Sequence, residues 1–192
     1  MMKFKISDFK TSDFVEDSHR WSVSYAEIES ILARLHGADG DVQQKAFRGR
    51  LKHLKRLGIP RGINPGKGAK VWYKEAQLYE WAFCLELAEF GLDPTVVVAL
   101  MEEKFENDIL HHLTEARLQR DDDDLYFVAS PNLMSAVWQD KEPLPYQWIK
   151  SSKAELFLHR MGRSPQTPRR AIWINVTTLC NAIGRLGVMV DK

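Results

Sequence analysis

The side chains with chemistry to offer are cations, and they are crowded into one part of the chain. Residues 41–74 carry 10 basic and 1 acidic side chains, a net +9, and residues 75–124 carry 3 basic and 14 acidic, a net −11. The 192-residue chain as a whole sums to only +1. Local field, not total charge, attracts a polyanion. The centre of the basic block is RLKHLKRLGIPRGINPGKGAKVWY, residues 50–73. Such a stretch could hold a nucleotide phosphate or follow a nucleic-acid backbone. It could also be a solvated helix face balanced by the acidic segment after it.

The phosphate-loop chemistry fails on spacing. A loop of that kind needs Gly, four residues, then Gly-Lys and a hydroxyl residue, between a strand and a helix. Gly66-Lys67 is followed by Gly68 and Ala69, and Arg61 stands where the first glycine belongs. Metal chemistry has no ligand set. His111 and His112 are adjacent and would point about 100° apart on a helix, Cys84 and Cys180 are far apart, and Asp121–Asp124 lacks the alternation of a calcium loop. No motif fixes a nucleophile. The expectation is a non-enzymatic protein with no cofactor and no metal. The two cysteines read as small buried hydrophobes in a reducing compartment.

The elements that must position the cations can be read from period and punctuation. Residues 1–21 have no clear period and read as an arm. Ser24 and Glu27 form a capping-box signature ahead of Ile28, Ile31, Leu32 and Leu35. A second helix, over about 43–57, stops at Gly58 with Pro60 beyond it. On that helix Phe47, Leu51 and Leu54 share one face with Leu57 at its margin, and Lys45, Arg48, Lys52, His53 and Arg56 take the other. Gly49 also lies on the polar face, where it is either tolerated or allows close approach to a partner. The loop over 59–70 is rich in Gly and Pro and reads as a turn with extended flanks. Lys70–Tyr73 reads as a returning strand, with Val71, Trp72 and Tyr73 expected as its footing in the core.

Residues 74–91 predict a helix apolar nearly all round and buried on most sides. Asp93 and Pro94 predict an N-cap and first turn, opening a helix of about 25 residues to Leu118. Its apolar residues are spread widely enough to meet a partner subunit at one end. The run Asp121–Asp124 reads as a solvated boundary. Beyond it, 125–129, 146–150 and 171–176 read as strands. Residues 130–138 read as a short helix, 163–170 as a loop, Ser152 with Glu155 as a second capping box, and 177–187 as a helix capped by Thr177 and ended by Gly187. The expected architecture is mainly α with a small β component: an arm (1–21), a helical domain (22–120) and a small α+β module (125–192) for dimerisation or partner contact.

The stretch from about Tyr25 to Glu102 resembles the winged helix-turn-helix domain of the MerR family of bacterial transcription regulators. YAEIESIL matches the first helix, and LKHLKRLGIP the end of the recognition helix. GKGAKVWYKEAQLYEWAFCLELAEFGLDPTVVVALME matches the wing, the wing-base aromatic and the two following helices. The family's Arg-Leu-Gly-Leu step stands here as Arg56-Leu57-Gly58-Ile59. Its wing end stands as Gly68-Ala69-Lys70-Val71-Trp72-Tyr73. The segment between the first two helices is longer than the family's turn. The family's coiled-coil helix and sensor cysteines have no counterpart. The resemblance implies a winged helix-turn-helix followed by a long helix, with the α+β unit in place of a sensor.

These readings converge on a sequence-specific regulator of transcription that binds double-stranded DNA. Lys45, Arg48, Arg50, Lys52, His53 and Arg56 would contact DNA from the helix, in the major groove. Arg61, Asn64, Lys67 and Lys70 would do so from the wing, on an adjacent backbone or minor groove. Arg48 and Lys52 are the expected base readers. Further expected partners are a second copy of the chain and RNA polymerase or another transcription factor. The alternative is a protein-interaction module whose basic face docks on an acidic partner. No stretch is apolar for long enough to span a bilayer, and the N-terminus has no signal-peptide run. A cytoplasmic, nucleoid-associated protein is expected.

Overall fold

Ser24 sets the first helix. Its backbone N–H donates to Glu27 Oε2 at 2.6 Å and its Oγ accepts from Glu27 N at 3.4 Å, completing the capping box that opens α1 (Tyr25–Leu35). This computed structural model describes residues 22–38, 40–63, 70–119, 122–131, 144–161 and 170–188. The expected arm, the loop centre 64–69, most of the expected short helix after Ser130 and the loop 162–169 lie outside the described residues. Helices dominate, with two small antiparallel sheets, so the protein is mainly α with a small β component. The chain divides into two units, Met1–Ala82 and Phe83–Lys192.

In the first unit, β1 (Ser22–Ser24) precedes α1, and α2 (Asp41–Arg56) follows it. Gly58, at φ 93°, ends α2 in the left-handed region that a residue with Cβ rarely enters. After the loop, β2 (Trp72–Lys74) returns and pairs antiparallel with β1, with Val23 opposite Tyr73. The returning strand was expected; its partner β1, next to the arm, was not. Three residues of β1 are too few for any periodicity to register.

Strand alternation corrects the expectation that Val71, Trp72 and Tyr73 all anchor the returning strand in the core. Successive side chains on β2 face opposite ways. Tyr73 is fully buried and Trp72 is 52% exposed. Tyr73 packs with Trp81 (5.4 Å between ring centroids) and Tyr25 (6.3 Å), and Tyr25 meets Trp81 edge-on at 5.9 Å. This aromatic triad ties α1, β2 and α3 (Glu75–Glu89) together. Trp72 instead lies under the Lys70 ammonium, 4.3 Å from the ring centre.

In the second unit, α4 (Pro94–Lys104) begins with Asp93 Oδ1 accepting from Thr95 N at 2.8 Å, the expected cap. The helical run reaches Leu118 but is interrupted. Phe105–Ile109 forms a π-turn, and α5 (Leu110–Leu118) completes it. Phe105 and Ile109 are both buried in that turn, and Asp108 faces the sheet. Asp108 Oδ2 accepts from the Tyr146 hydroxyl at 2.7 Å and from Trp148 Nε1 at 3.0 Å. The His112 ring stacks on Trp148 at 4.4 Å, nearly parallel.

The sheet has β3 (Leu125–Ala129) between β4 (Tyr146–Lys150) and β5 (Ile172–Asn175), all antiparallel. α6 (Ser151–Arg160) follows β4, and α7 (Val176–Val188) follows β5 and packs on α5. Two expected caps form differently. Asp123, not a Ser152–Glu155 box, caps α6: Oδ1 accepts from Ser152 N at 2.8 Å and from the Ser151 hydroxyl at 2.9 Å. These donors hold the Asp123 carboxyl below the usual carboxylate range, the Ser152 backbone N–H first among them. Asn175 Oδ1 caps α7 through Thr178 N at 2.8 Å, and Thr177 Oγ1 accepts from Leu125 N instead. α7 continues through Gly187. The acidic run is thus partly internal, with Asp124 Oδ2 accepting from Asn175 Nδ2 at 2.7 Å. Cys84 and Cys180 are buried, as expected.

Candidate nucleic-acid interface

Helix α2 sorts its side chains by polarity. Phe47, Leu51 and Leu54 are buried against the rest of the first unit, and Leu57 is half-buried at their margin. At about 100° per residue, Lys45, Gly49, Lys52 and Arg56 lie within about 60° of one another at the opposite pole. All four are exposed. Nothing stands within 4 Å of where a Cβ on Gly49 would be. The stripe runs roughly 16 Å along the helix at 1.5 Å per residue. His53 is exposed on one flank, whereas Arg50, also exposed, lies about 100° from the nearest stripe position, between Leu57 and Leu54. Three cations in a row around a bare backbone position give a helix that can lie close to a polyanion.

Arg48 is exposed on the other flank but engaged. One oxygen of Glu29 on α1, Oε1, accepts from Arg48 Nε at 2.8 Å and lies 2.6 Å from Nη2. That bond, followed by the Glu29 charge, raises the Arg48 pKa above its ordinary value. Both residues line a cleft of about 650 Å³ between α1 and α2, with Tyr25, Arg34 and Gln44 among its other walls. Burial, then the Glu29 charge, pushes the Tyr25 phenol up.

Around the loop that follows α2 the cations differ in use. Glu80 on α3 is 2% exposed. Its Oε2 accepts from Arg61 N at 3.0 Å and its Oε1 from Arg61 Nε at 2.9 Å. Gln77 Nε2 donates to the Arg61 carbonyl at 3.1 Å, so the start of the loop is clamped to α3. A buried carboxylate needs such a partner. Lys70 is exposed and covers Trp72. Asn64 and Lys67 lie outside the described residues.

Of the expected contacts, the structure brings Lys45, Lys52, Arg56 and His53 onto one open face. Arg48 and Arg61 are each drawn onto a carboxylate. Sequence reasoning passed over three participants. Lys55, on the margin of α2, donates from Nζ to the Tyr73 hydroxyl at 3.4 Å and sits 5.5 Å from the centre of the Tyr25 ring. Glu29 gave no sign beyond its place on the polar side of α1. Glu80 did give one: a carboxylate set between Leu78-Tyr79 and Trp81-Ala82-Phe83, in a helix apolar on nearly all sides, requires a counter-ion.

No protein-family model matches the chain, and no curated protein sequence matches it. Among the described residues, no group of three or more His, Cys, Asp or Glu is placed to hold a metal ion, and no helix is long and apolar enough to cross a membrane.

Proposed function

We propose that the first unit is a winged helix-turn-helix DNA-binding domain and that the protein is a non-enzymatic, nucleoid-associated regulator of transcription. α2 enters the major groove, and the 59–71 loop lies on the adjacent backbone or minor groove. The observation that carries this reading is the exposed stripe Lys45–Gly49–Lys52–Arg56, opposite the buried Phe47, Leu51 and Leu54. A major groove about 12 Å wide admits one helix, and a glycine at the centre of the stripe removes the side chain that would hold the backbone away. Lys52 lies at the centre of the stripe and is the first candidate to reach a base edge; Lys45 and Arg56 reach phosphates on either side. The second unit serves self-association or contact with RNA polymerase or another transcription factor.

The test is binding of the purified chain to mixed-sequence genomic duplex fragments over a range of salt. The reading expects binding at low salt that weakens linearly on a log–log plot, with the slope set by the phosphates neutralised. Genome-wide mapping of bound sites then supplies the operator. Absence of duplex binding at low salt overturns the reading in favour of a protein-interaction module.

A further inference from the structure

We infer that Glu29 is a positioning residue that restrains Arg48 and so weakens binding to DNA of the wrong sequence. This inference rests on the DNA-binding reading above. Arg48 stands on the groove-facing helix, yet its guanidinium is folded back on a carboxylate of the neighbouring helix, with Nε at 2.8 Å and Nη2 at 2.6 Å from the same oxygen. The two ends of the pair are unequal. The Arg48 side chain is 50% exposed, whereas that of Glu29 is 14% exposed and lies beside the Tyr25 phenol, whose pKa it helps to raise. The cleft they line gives the arginine room to swing away; the carboxylate, on the middle of α1, cannot follow.

An Arg48 contact to DNA therefore requires an exchange. The guanidinium leaves Glu29 for a phosphate or a guanine edge, and a mostly buried carboxylate loses its cation. A generic phosphate offers Arg48 about the charge-assisted bonding that Glu29 already gives, so nothing compensates the stranded charge. A correctly placed guanine, bonded bidentately, does compensate it. The carboxylate thus acts as a repulsive element against the wrong partner, which is how an interface gains discrimination without added affinity.

The experiment measures affinity of the full chain for a mixed-sequence duplex across salt, for wild type, Glu29→Gln, Arg48→Ala and the double variant, with thermal melts to confirm folding. Glu29→Ala replaces Glu29→Gln if the latter does not fold. Glu29→Gln is expected to bind several-fold more tightly and to steepen the salt slope by about one unit, because Arg48 becomes an added phosphate contact. In the Arg48→Ala background the same change is expected to have no effect on the slope. Two outcomes overturn the inference while leaving DNA binding intact: an unchanged slope in Glu29→Gln, or an equal gain with and without Arg48, which makes Glu29 a simple repulsive charge. Loss of duplex binding by wild type at low salt overturns both readings together.

Discussion

On α2, Lys45, Lys52, His53 and Arg56 are exposed, whereas Asp108, Asp123 and Asp124 of the second unit each accept hydrogen bonds from side chains of that unit. Glu115 there also meets Lys150 at 3.1 Å. The +9 and −11 blocks look like mirror images as counts, but they are used differently. Acidic side chains cap a helix, hold a π-turn to a sheet and bind the Asn175 side chain at the end of β5. The central cations of α2 do none of this. Charge that the fold consumes is less available to a partner, which takes Asp108, Asp123 and Asp124 out of the acidic block's open surface and leaves Glu102, Glu103 and Glu106 exposed.

The sharpest way to break this comparison is at its exceptions. Arg61 is a cation used by the fold, so Arg61→Ala removes the guanidinium from the buried Glu80 carboxylate. It is expected to cost about 3 kcal/mol of stability, read from denaturant unfolding without DNA. A change within experimental error would return Arg61 to the set of exposed cations.

Asp108→Ala removes the carboxylate to which the Tyr146 hydroxyl and Trp148 Nε1 donate and is expected to cost about 2 kcal/mol. Duplex affinity at a temperature where both proteins are folded is expected to be unchanged. An affinity loss there would bring the second unit into the nucleic-acid contact.

Lys52→Ala should do the reverse. Stability stays within about 0.5 kcal/mol of wild type, and the magnitude of the salt slope falls by about one unit.

The smallest effect is at Asp123. Its folded-state pKa is lowered, so it adds stability above the unfolded-state value, about 3.9, and that stability is lost as pH falls through the lower folded-state value. Asp123→Asn is expected to lower Tm slightly at neutral pH and to match wild type once both are well below pH 4. A difference that persists in acid would mean that the cap acts through geometry and not charge.

Much of this was legible in the sequence, for a local reason. Ser24 with Glu27, Asp93 with Pro94, Gly58 and the two-sided α2 all act within a few residues, and local chemistry decides them. What escaped reading depends on residues distant in sequence. The Ser152–Glu155 signature is present, but Asp123, 29 residues away, takes the Ser152 backbone N–H. Thr177 resembles a cap, but Leu125 claims its hydroxyl. Trp72 and Tyr73 are both aromatic, and only pairing with β1 decides which of them faces inward. The same limit applies to the candidate site. Periodicity selected the polar face of α2 correctly, but it could not tell that Arg48 would be drawn to Glu29 while Lys52 stayed at the open centre.

The most direct test of the central claim compares wild type with the combined variant Lys45→Ala, Lys52→Ala and Arg56→Ala in duplex binding across salt, both proteins being checked for unchanged thermal stability. The account predicts that the variant stays folded, loses most of its low-salt affinity, and has a salt slope shallower by about one unit for each lysine or arginine removed. Equal affinity and equal slope in the two proteins would contradict it.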